Sequence, residues 1–305
     1  MINTKEIINI LPESIISLVN LEKMKGLQEI RIKAGKKTIL QLGDQEIITN
    51  YIATLEDIRA ILQRISNYSI YAYDEEIRQG YITVRGGHRV GICGTCVIEK
   101  NTVKTIKDVA SLNIRICNEI IGCSNKVFNY IIEGEEILNT IIISPPRCGK
   151  TTLLRDLGRN ISNGVRSINF SGKKVCVVDE RSELASCYNG IPQLEIGLRT
   201  DVLDGCPKSE GIMMLIRSMS PEVIICDEIG TTPDMESIIK AANSGVSIIT
   251  TIHGYGIEDL YAREVFKNIM ENNIFSRAVV LSNKEGVGTI DYIYDFKQKN
   301  HIYRG

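Results

Sequence analysis

Four short runs of side chains in this chain have the types and spacing to handle phosphate chemistry. The first is Ser144-Pro145-Pro146-Arg147-Cys148-Gly149-Lys150-Thr151-Thr152. It reads as a phosphate-binding loop in which serine replaces the first glycine. In such a loop successive backbone N–H groups and the positive end of a following helix surround the phosphates, a lysine reaches the terminal pair, and a hydroxyl binds magnesium. Lys150 and Thr151 take the last two roles, and residues 144–152 as a whole form the nucleotide-binding segment. Serine at 144 is compatible with this geometry only if its φ is negative, whereas Gly149 stays where the backbone must come closest to phosphate.

The second run is Asp227-Glu228, two adjacent carboxylates at the end of the apolar stretch Val223-Ile224-Ile225-Cys226. A carboxylate at such a strand tip can hold magnesium, the role assigned to Asp227, while its neighbour Glu228 can orient and deprotonate an attacking water. The third, Asp179-Glu180-Arg181-Ser182-Glu183, closes another apolar run, Val175-Cys176-Val177-Val178. Glu180 and Glu183 are placed to polarise water. An alternative use of Asp179 or Glu183 is a structural salt bridge to Arg181. A fourth tip, Thr251-Ile252-His253, offers a hydroxyl and an imidazole that could sense a γ-phosphate. Charge on a transferring phosphoryl group also calls for arginine, for which Arg199, Arg217, Arg89 and Arg115 are the candidates.

Positioning these groups requires short buried strands that alternate with helices. From about residue 137 the chain supplies them. Strands are predicted over 139–143, 174–178, 223–227 and 246–251, and helices over 150–162, 208–219, 233–243 and 257–271. Two further runs, 278–281 and 289–294, read as antiparallel edge strands. Apolar strands separated by helices imply a parallel sheet covered on both faces, with ligands at the carboxyl ends of the strands. Residues 1–135 read differently, as a smaller α+β domain with a helix over 55–65, strands over 29–33 and 38–42, and a hairpin turning at 85–88. The polar run 132–136 is the predicted linker, so the domains are placed at 1–135 and 136–305.

The 305 residues are 43% hydrophobic, with 36 basic and 37 acidic side chains and a formal charge of −1. That balance disfavours a nucleic-acid partner, which would need a basic surface. No apolar run approaches the roughly 20 residues that span a bilayer, and Met1–Glu6 lack the layout of a signal peptide, so the expectation is a cytoplasmic chain with no membrane segment of its own. Nine cysteines and three histidines read as mostly buried, reduced thiols and too few imidazoles for extensive metal chemistry. A zinc set built from Cys93, Cys96, Cys117 and Cys123 lacks regular spacing.

Between the second and third of these motifs lie Arg199-Thr200-Asp201-Val202-Leu203-Asp204-Gly205-Cys206-Pro207-Lys208 and the run Met213-Met214-Leu215-Ile216-Arg217-Ser218-Met219. In this order the motifs resemble the stage III sporulation AA family, which belongs with the secretion ATPases of type II and type IV systems. Glu29-Ile30-Arg31-Ile32 and Gly86-Gly87-His88-Arg89 resemble that family's amino-terminal domain. The resemblance implies an α/β chain with a RecA-like P-loop NTPase core and a smaller α+β amino-terminal domain. It also implies ATP and Mg2+ as ligands, an acidic box at 179–183, a Walker B pair at 227–228 and a histidine box at 251–253. Arg217 would match the arginine before the Walker B strand. Hexameric rings, in which one subunit's amino-terminal domain closes over its neighbour's nucleotide, would bring in Arg115. The expected partners are further copies of the chain and membrane proteins of a channel between mother cell and forespore. Two alternatives stand beside ATP hydrolysis: a nucleotide-binding regulatory module with little turnover, and a RecA-like DNA motor.

Overall fold

The computed structural model describes residues 4–17 and 26–305; residues 1–3 of the amino end, expected to lack a signal peptide, lie outside that range. The chain forms two compact units, one of residues up to 119 together with 186–193, the other of 120–185 with 194–305. The boundary therefore falls at 119/120 and not at 135/136. The polar run taken for a linker is instead a small hairpin inside the second unit, and the residues before it are clamped to a helix of that unit, as described below.

In the first unit, helices α1 (Thr4–Ile10), α2 (Glu13–Ile16), α3 (Leu55–Ile65) and α4 (Asp74–Gln79) accompany a six-stranded sheet. Its strands are β1 (Leu27–Lys33), β2 (Lys37–Leu42), β3 (Gln45–Ile52), β4 (Tyr81–Val84), β5 (His88–Glu99) and β6 (Thr102–Arg115). They are ordered β3-β2-β1-β6-β5-β4 and every pairing is antiparallel. Strand β1 buries Leu27, Ile30 and Ile32 in one hydrophobic cluster with Ile58, Ile61 and Ile65 of α3. A capping box between Thr54 and Asp57 starts that helix, satisfying amides that have no partner in its first turn. Segment 186–193 joins this unit by side-chain bonds: the Gln193 carbonyl accepts the Gly86 amide at 2.9 Å, and the Asn67 amide donates to the Tyr188 hydroxyl at 2.9 Å.

The second unit begins with α5 (Asn125–Phe128) and the hairpin β7 (Ile132–Glu133) and β8 (Glu136–Ile137). Its main sheet contains β9 (Thr140–Ser144), β10 (Val175–Asp179), β11 (Thr200–Asp204), β12 (Val223–Cys226), β13 (Ser247–His253), β14 (Arg277–Ser282), β15 (Thr289–Asp295) and β16 (Asn300–Arg304). The order is β11-β10-β12-β13-β9-β14-β15-β16. The first six strands in that order run parallel, and the last two pairings are antiparallel. Every residue of β9, β10 and β12 is buried, as expected of parallel strands covered on both faces. The covering helices are α6 (Lys150–Asn163), α7 (Lys208–Met219), α8 (Thr232–Asn243), α9 (Glu258–Ala262) and α10 (Lys267–Glu271).

Three expectations change. Residues 278–281 do not form an edge: β14 lies inside the sheet, parallel to β9, and only its other neighbour is antiparallel. The true edges, β11 and β16, were not anticipated, because a half-exposed edge strand carries too many polar residues to read as an apolar run. The single helix over 257–271 is broken at Arg263, which is extended with φ −100°. Leu260 and Phe266 are both fully buried; six residues apart on a continuous helix they would point about 120° from one another, and the break lets both enter one core.

Candidate functional site

Parallel alignment brings the carboxyl ends of β9, β10, β12 and β13 to one edge of the sheet, and the polar residues that follow each strand meet there. β9 ends at Ser144, which pairs in register with His253 at the end of β13. Ser144 is fully buried and its hydroxyl donates to the Pro145 carbonyl at 2.9 Å. The chain then turns through Arg147 (φ 64°) and Gly149 (φ 84°), so the left-handed positions lie later in the loop and not at 144, where serine is tolerated. Gly149 caps α6, whose first residues are Lys150, Thr151 and Thr152.

Two contacts close the site. The Thr151 hydroxyl donates to Asp227 Oδ2 at 2.6 Å, and the Lys150 ammonium lies 3.1 Å from His253 Nε2. Thr251 ties the next layer together, since its hydroxyl donates to the other Asp227 oxygen and accepts the Glu228 amide at 2.9 Å. Glu228, in a left-handed conformation with φ 53°, puts one carboxylate oxygen 3.2 Å from His253 Nε2 and the other 3.1 Å from Arg181. Nε2 can serve only one of its two neighbours at a time. Accepting from Lys150 requires the ring proton on Nδ1, a buried atom with no hydrogen-bond partner among the described residues; carrying the proton on Nε2 makes it a donor to Glu228. His253 is therefore placed to choose between the lysine and the carboxylate.

The acidic run after β10 is built from the inside out. Asp179 is buried and accepts the amides of Glu183, Leu184 and Ala185 at 2.8–2.9 Å. Burial pushes its carboxyl above the ordinary aspartate value against the pull of those amides. It shapes the loop and does not hold Arg181, which pairs with Glu228 instead. Arg155 of α6 braces the same loop from below, donating to the Glu183 and Leu184 carbonyls at 2.7 and 2.5 Å. Glu180 is ion-paired with Lys208, the nearly buried first residue of α7. Glu180, Glu183, Arg181, Lys208, Asp227 and Glu228 line one depression. Lys208 is the residue of this group that chemical-type reasoning missed; it stands 28 positions from its partner, and a single lysine after a proline carries no local signal.

The arginine candidates of the second unit lie away from this cluster. Arg199 sits beside the last turn of α6, donating to the Ser162 carbonyl at 2.9 Å. The 14 residues of α6 separate that turn from Lys150 by about 20 Å, so Arg199 stands at the helix's negative end and away from the Lys150 cluster. Arg217 is exposed on the last turn of α7, whereas Lys208 at the first turn faces the site. In the first unit, Arg115 is an exposed residue at the end of β6, and Arg89 lies 3.5 Å above the ring of Tyr81. Cys93 and Cys96 are exposed on β5, while Cys148, Cys176, Cys187 and Cys226 are buried, and burial raises the Cys226 thiol to about 12.

Magnesium suits the oxygen pair at Thr151 and Asp227. Both are hard donors in contact. An ion that takes one or two protein ligands and fills its shell with water and phosphate fits such a site.

The family described as "Sporulation stage III, protein AA" matches residues 1–301. This chain belongs to the sporulation stage III, protein AA family. Its relative in Bacillus subtilis (strain 168), stage III sporulation protein AA, is 45% identical over 95% of this chain and 94% of its own length. Among solved structures, this family member is similar to the Legionella pneumophila ATPase DotB, with a TM-score of 0.60, 14% identity, and coverage of 88% of this chain and 77% of that one. It is also similar to the pilus retraction motor PilT with bound ADP, with a TM-score of 0.59, 15% identity, and coverage of 88% and 78%. At these identities the likeness concerns the fold, an α/β architecture shared with ATPases of secretion and pilus systems.

Proposed function

We propose that this chain is a Mg2+-dependent ATPase with a RecA-like P-loop core and a smaller α+β amino-terminal unit, working as a ring that energises a mother cell to forespore channel during sporulation. The observation that carries the proposal is the convergence of Lys150, Thr151, Asp227, Glu228 and His253 on one sheet edge. Segment 144–152 cradles the phosphates, Lys150 leaves His253 for the terminal phosphates, and Thr151 and Asp227 hold the metal. Bound magnesium would neutralise phosphate charge. Glu228 takes the proton of the attacking water at a carboxylate oxygen once Arg181 and His253 release it, and Lys208 holds Glu180 in place beside it. Exposed Arg115 and Arg217 would act on a neighbouring subunit's nucleotide, and the chain would be recruited from the cytoplasm to membrane proteins of the channel. Among the described residues no helix is long and apolar enough to cross a membrane.

Phosphate release from ATP by the purified protein, present with Mg2+ and lost on chelation, tests the enzyme. Sedimentation with and without a non-hydrolysable ATP analogue tests the ring, and a monomer in both cases removes the neighbour-acting arginines. A second reading, a nucleotide-binding regulator with little turnover, is favoured by one observation: both oxygens of Glu228 are engaged, by His253 and Arg181. Turnover that appears only on assembly would unite the two readings.

Ser144→Gly is expected to preserve turnover, because the left-handed work of the loop is done at 147 and 149. The lost hydroxyl bond and buried side chain should cost about 1–2 kcal/mol, seen as a lower melting temperature. Abolished turnover in a folded variant would give Ser144 a direct role in the site.

A further inference from the structure

The loop joining β14 to β15, Asn283-Lys284-Glu285-Gly286-Val287-Gly288, belongs to no part of the phosphate chemistry, yet it approaches the cap of α6. A Cβ placed on Gly149 would lie 3.2 Å from Val287 Cγ1 and 3.6 Å from Gly288 Cα. Val287 is nevertheless 72% exposed. The loop is held in shape by its own bonds: the Gly286 amide donates to the Asn283 carbonyl at 3.2 Å, and the Thr289 hydroxyl donates to the Gly286 carbonyl at 2.7 Å. Lys284 pairs with Asp291 at 3.0 Å at its base. A fixed loop thus presents one open aliphatic side chain immediately beside the residue that precedes Lys150.

Strand order says what would lie there. β9 has β13 on one flank and β14 on the other. The groups suited to the terminal phosphates and metal, His253 and Asp227 with their partners, all belong to the β12–β13 flank. A phosphate chain anchored on that side extends its organic end toward the opposite flank, which is where the loop from β14 stands. Valine offers that end no hydrogen bond and no charge, only an apolar face, which suits the flat surface of a heteroaromatic ring.

We propose that Val287 and its loop form a shelf for the nucleobase of a bound nucleotide. The assignment rests on the nucleotide reading above and adds to it the place and the chemistry of base recognition. The contact selects for the presence of a base and not between purines, because one aliphatic face reads neither ring substituent.

The test compares Mg2+-ATP with inorganic tripolyphosphate and Mg2+, titrated by calorimetry into the full chain, in wild type, Val287→Ser and Val287→Ile. Expected is a loss of about tenfold in ATP affinity in Val287→Ser, with tripolyphosphate affinity unchanged and Val287→Ile equal to wild type. Unchanged ATP affinity in Val287→Ser overturns the shelf, and so does an equal loss for both ligands, which would place the effect on the phosphates. If wild type binds neither ligand, the nucleotide reading falls and the shelf with it; if it binds tripolyphosphate as tightly as ATP, the shelf alone falls.

Discussion

Glu228→Gln is expected to lower ATP turnover by about 10²–10⁴-fold, the range associated with loss of a general base, while ATP binding is retained. The amide keeps the size of the carboxylate and its place on Thr251, because that contact uses the Glu228 backbone amide and not its side chain. What disappears is the ability to take a proton from water. Glu180 cannot substitute easily, since its carboxylate is committed to Lys208. The same change also removes the charge that holds Arg181 and the His253 ring, so binding of Mg2+-ATP should be measured alongside phosphate release. Equal turnover in wild type and variant would sink the hydrolase assignment and leave the regulatory reading.

The largest effect on stability is expected at Asp156, a residue of α6 that faces away from the chemistry. It is buried, accepts the Gly122 amide at 3.1 Å and the Ser124 amide and hydroxyl at 2.8 and 2.7 Å, and pairs with Arg159 at 2.8 Å. Asp156→Ala should cost about 3–5 kcal/mol, as removal of one partner from a buried ionic network does. In a unit of this size that is roughly 6–20 °C in melting temperature. Burial would raise this carboxyl, but the Ser124 and Gly122 donors and Arg159 outweigh it and hold it below the ordinary aspartate value. A depressed acid stabilises above its unfolded pKa of about 3.9 and loses that contribution as pH falls through the lower folded value. The gap between wild type and Asp156→Ala should therefore be constant near neutrality and narrow below about pH 4. Thermal melts across that range check it, and a gap that widens in acid would contradict the ionic role.

Why some of this was readable in the amino-acid order and some was not follows from distance along the chain. The helix over 208–219 came out with those bounds because Pro207 and Pro221 bracket it and apolar residues recur inside it. The strand tips were visible because each ends an apolar run in a carboxylate or hydroxyl. Asp156 gave no signal, since its partners Gly122 and Ser124 lie 34 and 32 residues away; this clamp is also why 120–135 joined the second unit. The place of Arg199 was hidden for the complementary reason: nothing local to an arginine between Gly197-Leu198 and a threonine points to its partner, Ser162, 37 residues back. Edge strands β11 and β16 hid behind their own polarity.

Segment 186–193 bears on how this protein can be taken apart. It follows the acidic run of one unit directly, is folded into the other through Tyr188 and Gln193, and then returns to form β11. Neither unit is thus a single stretch of chain. A truncation that begins at residue 120 would carry this octet without the groups that satisfy it, leaving Tyr188 and the buried Cys187 uncovered a few residues along the chain from Glu180 and Glu183. Activity lost in such a fragment would mix the effect of a miswired loop with that of losing the amino-terminal unit. Fragment studies of this protein call for replacing 186–193 with a short polar bridge, so that the two causes are kept apart.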